Sequence, residues 1–204
     1  MDKQLIISIG REYGSAGHEI ARKLAEKLEI PFYDRNLLDE FADQKDVDAD
    51  LLAKYDEKPK RFFFSRTISV RGQSVTNSPA QNVADIQFAL LKGKAYDDDS
   101  FVVCGRCADE VLKDFPGHFS VFITADYDAK VKRVMDKRNM SEKEAKKHIE
   151  KHDRTRRAYH DYFCKSKWGH ASSYDLCINS TTLGIDGSVE MLYDFAKHFE
   201  EHLK

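Results

Sequence analysis

The 204-residue chain carries 33 Lys and Arg against 35 Asp and Glu, a formal charge of -2, and 41% of it is hydrophobic. That near balance excludes a general nucleic-acid or membrane surface, and the size fits one α/β domain with a small inserted lobe. The opening apolar run, about five residues long, is too short for a signal peptide or a membrane span, so the expectation is a cytoplasmic protein.

Residues 5–9, Leu-Ile-Ile-Ser-Ile, predict a short buried strand. The glycine-rich run Gly10-Arg11-Glu12-Tyr13-Gly14-Ser15-Ala16-Gly17-His18-Glu19 follows, and Ile20, Ala21, Leu24, Ala25 and Leu28 then repeat with helical spacing. Strand, glycine loop and helix build a phosphate cradle: glycines let the backbone approach, and amides at the helix start point at the anion. The common nucleotide-binding loop places a Lys and a Ser or Thr directly after its last glycine. Here His18, Glu19 and Ile20 stand there instead.

Further along, Ile30–Tyr33 predicts a second short strand, and Asp34 an N-cap for a helix reaching Ala42. Residues 44–60 are highly charged without periodicity. Phe62–Phe64 and Ile68–Val70 are apolar islands suited to a hairpin or a small lid. After Pro79, a helical face carries Val83, Ile86, Gln87, Leu90 and Leu91. Strands follow at Phe101–Cys104, Phe119–Thr124 and Leu176–Ile178. Helices are expected at Ala108–Asp114, after Asp126, after the capping-box pattern Ser141-Glu142-Lys143-Glu144 towards Tyr162, and from Asp186, with Val189, Leu192, Tyr193, Ala196 and Phe199 inward. Strands alternating with helices predict a three-layer α/β/α fold with a parallel sheet, its site at the strands' C-terminal ends.

Cys104-Gly105-Arg106-Cys107 is a CxxC, a pattern used in redox and zinc chemistry. A tetrahedral zinc site needs two more ligands and no second CxxC exists, so packing behind the apolar Phe101–Val103 accounts for the pair. An oxidoreductase would instead show a labile Cys104–Cys107 disulfide. His148 and His152 lie four apart on a polar helix face without the Glu of an HExxH motif.

Four segments together resemble the cytidylate-kinase-like branch of P-loop nucleoside monophosphate kinases: Ile9–Ile20, Pro31–Asp34, Val103–Asp109 and Asp175–Leu183. The resemblance implies a P-loop kinase fold, a single domain over 1–204 with a five-stranded parallel sheet, an acceptor-binding lobe over about 35–98 and a helical lid over about 139–165. It implies transfer of a phosphoryl group from ATP, with Mg2+, to a nucleoside monophosphate, most plausibly CMP or dCMP. Gly10, Gly14, Ser15, Ala16, Gly17, His18 and Glu19 would hold the donor, with Ser15 offering the magnesium hydroxyl. Arg106 would clamp the acceptor phosphate, with Asp34 and Gln87 at the acceptor, and Arg154 and Arg157 would close from the lid. Partners would be a nucleotide donor and a small phosphorylated acceptor, with self-association compatible.

The loop departs from the family's pattern by its two extra residues between Gly10 and Gly17 and by its missing lysine. Phosphoryl transfer demands alignment and charge neutralisation more than covalent help, and loss of one preorganised donor costs about 2.7–4 kcal/mol. Arg11, Arg106, Arg154, Arg156 and Arg157 are candidates for a transition-state arginine, and Arg11, inside the lengthened loop, is the candidate to replace the lysine's charge. The other reading of the missing lysine is a nucleotide-binding module without transfer activity.

Overall fold

The computed structural model describes residues 3–34, 68–70, 73–75 and 79–203. Five strands form one parallel sheet: β1 (Ile6–Arg11), β2 (Phe32–Tyr33), β5 (Phe101–Cys104), β6 (His118–Thr124) and β7 (Leu176–Asn179), in the order β2-β5-β1-β6-β7. A two-stranded antiparallel ribbon, β3 (Ile68–Val70) with β4 (Gln73–Val75), stands apart from it. The helices are α1 (Gly17–Leu28), α2 (Pro79–Tyr96), α3 (Ala108–Val111), α4 (Tyr127–Arg138), α5 (Glu142–Phe163) and α6 (Ser180–His202). The expected helix after Asp34, the charged stretch 44–60 and Phe62–Phe64 lie outside the described residues.

Alternation along β1 builds both halves of the core. Leu5, Ile7 and Ile9 face α1 and α6, packing on Ile20, Leu24, Val189, Leu192 and Ala196. Ile6 faces the other side, with Phe101, Val103, Leu91, Ala95 and Leu112. A side chain of this kind, moved wholly out of water, contributes roughly 1.5–3 kcal/mol. This two-sided burial is what a parallel sheet requires.

β1 runs two residues beyond the apolar segment because β6 keeps pairing with it: Gly10 stands opposite Phe122 and Arg11 opposite Ile123. On its other edge Ile9 pairs with Cys104. The C-terminal ends of β1, β5 and β6 therefore finish side by side, and the loops after them meet in one crevice.

The capping box at α5 forms as expected, Ser141 accepting from the Glu144 amide and Glu144 reaching back to the Ser141 N–H. Two helix starts differ from expectation. Asp126 occupies the N-cap position of α4, but its carboxylate accepts from the Asn179 side chain at 2.7 Å. The last helix begins at Ser180 rather than Asp186, because Asn179 accepts the Thr181 N–H and adds a turn that breaks at Gly184 (φ 69).

Candidate active site

The glycine loop is shaped by two close constraints. Gly14 has φ +83, a left-handed conformation natural to glycine, and a Cβ there would meet Lys130 and Val134 at 3.1 Å. Gly17 packs so tightly that a Cβ would lie 2.5 Å from the Cβ of Arg11. Ala16 is also left-handed, at φ 62, and leads directly into α1. The first-turn amides of His18 and Glu19 have no intrahelical acceptor, and both residues line the cleft beside the loop. Together with the helix dipole they make an anion seat.

The lengthened part of the loop is tied to α5. The Tyr13 N–H donates to Asp153 Oδ1 at 2.6 Å, its hydroxyl is 3.1 Å from His148 Nε2, and its ring stacks on His152 at 4.5 Å. Arg156 donates to the Arg11 carbonyl at 3.3 Å and holds its guanidinium 5.5 Å from the Tyr13 ring. Burial, with His148 and the cations Arg156, Lys151 and Arg138 adding to it, lowers the pKa of His152 to about 4. The ring stacked on Tyr13 is therefore neutral at physiological pH.

Below the loop, Lys130 is buried and bonds Glu12 Oε2 at 2.9 Å, while Thr124 donates to the same oxygen. That amine serves Glu12 and does not line the cleft.

Two cavities flank the end of β1. The first, about 260 Å3, is lined by the loop from Arg11 to Gly14 and from Ala16 to Glu19, and by Arg133, Lys137, Arg138 and Arg156. Three cations on α4 thus face the loop from across the cleft. The second holds only about 20 Å3, room for a single water. Arg11, Arg106 and Arg156 converge on it, walled by Trp168, Tyr174, Tyr159 and His160. Arg11 and Arg156 belong to both cavities.

Arg106 sits in a turn where Gly105, Arg106 and Cys107 all have positive φ (84, 64 and 52). Non-glycine residues held this way cost of order 1–3 kcal/mol each and collect at functional sites. The turn places Arg106, 2% exposed, beneath the second cavity. Beside it, burial opposes a charge on His160, but Asp109 and Cys164 outweigh that and raise its pKa to about 10. The neighbouring Tyr174 hydroxyl is shifted upward by burial and stays neutral.

A model of the cytidylate kinase-like family matches residues 6–182. The chain belongs to that family. A crystal structure of an uncharacterized protein from Eubacterium ventriosum is similar to it, with 37% identity, a TM-score of 0.74, and coverage of 95% of this chain and 99% of that one. Shikimate kinase from Bacteroides thetaiotaomicron shares the fold at 13% identity and a TM-score of 0.55, covering 95% of this chain and 98% of its own. So does TT1252 from Thermus thermophilus, at 16% identity and a TM-score of 0.52, over 97% and 98%. None of the curated proteins matches the chain. The cytidylate kinase-like chain is thus a P-loop kinase in fold, and among its described residues no helix is long and apolar enough to cross a membrane.

Within this cytidylate kinase-like site the expected residues are placed unevenly. Gly14, Ala16, Gly17, His18 and Glu19 line the first cavity, Gly10 lines the second, and Arg11 lines both. Ser15 is fully buried: its hydroxyl donates to the Glu12 carbonyl at 2.9 Å and accepts the Gly17 N–H at 3.3 Å. His18 turns away from the cleft's centre to Asp34, Nε2 to Oδ2 at 2.5 Å, with its ring edge-on to Phe32. Gln87 is fully buried in α2.

Arg154 is exposed and lines neither cavity. Arg157 lies over the Trp168 ring at 5.3 Å and lines neither cavity. Arg156, one of the candidate arginines, lines both cavities, whereas sequence reasoning passed over Arg133, Lys137 and Arg138. Only the register of α4 and α5 against the loop separates them from the surrounding cations. The CxxC cysteines are free thiols, and Cys104 is buried within β5.

Proposed function

We propose that the protein transfers the γ-phosphoryl group of ATP to a small phosphorylated acceptor, a nucleoside monophosphate of the CMP or dCMP type. The observation that carries this reading is the pair of adjoining basic cavities that share Arg11 and Arg156. The donor's phosphates would rest on the 14–19 loop amides, faced by Arg133, Lys137 and Arg138. The acceptor phosphate would rest on Arg106.

The shared arginines then stand where the moving group passes between the two anions. Charge spread over its equatorial oxygens is what such groups neutralise, an effect worth roughly 10³–10⁵ in rate. Arg11 and Arg156 supply from strand and helix what the loop lacks as lysine. The acceptor is already anionic, so no general base is required.

Magnesium takes carboxylate and phosphate oxygens, and the cleft is lined by Glu19 and by Glu12, the latter offering the oxygen that Lys130 and Thr124 leave. They would hold the ion, which supplies charge neutralisation to the donor phosphates. Ser15, with its hydroxyl committed to the loop's own turn, fits that role less well than it does as a brace.

A coupled assay of ADP release over a panel of nucleoside monophosphates tests the proposal. Acceptor-dependent release, highest with CMP or dCMP, is expected. Tight ATP binding with no release for any acceptor would instead establish the second reading, a nucleotide-binding module, which the missing loop lysine favours.

A further inference from the structure

A cluster outside the donor cleft joins α3 to α5. His160 Nε2 lies 2.8 Å from Asp109 Oδ2, and one ligand atom each from Asp109, His160 and Cys164 all lie within 4.8 Å of one another. Cys164 follows His160 by four residues, which puts both on one helical face. The Cys164 thiol is hydrogen-bonded to Cys107, and the two sulfurs belong to one packed cluster with Tyr159. Cys107 is the residue on which α3 opens, and Asp109 lies in its first turn.

We propose that Cys107, Asp109, His160 and Cys164 bind a divalent cation of the zinc class, clamping the Arg106 turn to α5. Two sulfurs and an imidazole select a borderline-soft metal over magnesium or calcium. Four donors of these types match the tetrahedral set of a structural centre. With ligand bonds of about 2.0–2.3 Å, the donor atoms around such an ion stand roughly 3.3–3.8 Å apart; Asp109, His160 and Cys164 reach this by a small contraction, and Cys107 joins them by a turn of its side chain from the Cys164 thiol it now bonds.

Side-chain exposure is 6% for His160 and 10% for Asp109, and Cys107 is buried; Cys107, Asp109 and His160 edge the single-water second cavity, and the half-buried Cys164 edges the pocket beside Trp168. Binding replaces the His160–Asp109 hydrogen bond by two bonds to the ion and releases protons from the thiols and the imidazole. Arg106 and Arg156 line the adjoining cavity and balance the excess anionic charge. Cys104, the other half of the CxxC, takes no part: it faces the core beside Val102 and Ile9.

The test uses the purified full-length chain with zinc chloride alone, followed by gel filtration and elemental analysis. Retention of about one zinc per chain is expected, and cobalt in its place should give sulfur-to-metal charge-transfer bands and a tetrahedral d–d spectrum. Cys164→Ser and His160→Gln should each weaken zinc binding by more than roughly 100-fold, since even outer-shell losses cost 10–100-fold. Cys104→Ser and Cys177→Ser should leave the stoichiometry unchanged. Zinc should also shield Cys107 and Cys164 from alkylation. Wild-type protein that retains no zinc overturns the proposal, and so does equal retention by the Cys164→Ser and His160→Gln variants. A cobalt spectrum without sulfur bands overturns it as well. None of these readouts depends on phosphoryl transfer.

Discussion

Arg154, Arg156 and Arg157 show how little a run of cations says by itself. Successive helical residues are turned about 100° apart, so neighbours in sequence face different surroundings. Only Arg156 reaches the loop, because the Asp153 contact with the Tyr13 amide sets the rotation of α5 there. Arg156→Ala is expected to lower kcat for phosphoryl transfer by roughly 10³ or more, while Arg154→Ala changes it less than about threefold, a surface substitution having little to lose. Steady-state ADP release distinguishes them. The glycines could be read from sequence because their constraint is local. The fate of the Ser15 hydroxyl could not, since its choice between ion and backbone is made by the fold of the loop around it.

Strands and helices followed from the sequence wherever apolar period and capping chemistry agreed, as in α5 and in the central strands. Ser141→Ala removes the hydroxyl half of that capping box, leaving the main-chain N–H of residue 141 on Glu144, and is expected to destabilise the protein by about 1 kcal/mol, read as a lower urea midpoint with unchanged slope. Boundaries slipped where a neighbour intervened. β1 continues into Gly10 and Arg11 because β6 offers a ladder, and Asp126 gives its carboxylate to Asn179 across the sheet's end. The two cavities were beyond reach of sequence reasoning for the same cause. Their walls combine β1, α3, α4, α5 and the 168–174 segment, separations no local pattern encodes.

The pH response belongs to the whole folded unit. Burial holds the pKa of His118 at about 4, with its Nε2 2.8 Å from Ser8 Oγ between β6 and β1. The unfolded chain takes up that proton near pH 6.5, so stability is intact above that value and falls as pH drops towards 4. Between pH 7 and pH 5 the loss from this group is about 2 kcal/mol. His118→Gln should flatten that limb, measured as urea midpoints over the same range.

The second cavity, with its single-water volume, contrasts with the larger first cavity, the proposed donor cleft. A monophosphate cannot enter until the Trp168–Tyr174 wall or α5 swings away, and Arg156 links that wall to the nucleotide side. Turnover should therefore follow a compulsory order, ATP arriving before its co-substrate. Product-inhibition kinetics would show ADP competing with ATP alone, and a random order of arrival would mean that the narrow chamber opens unaided.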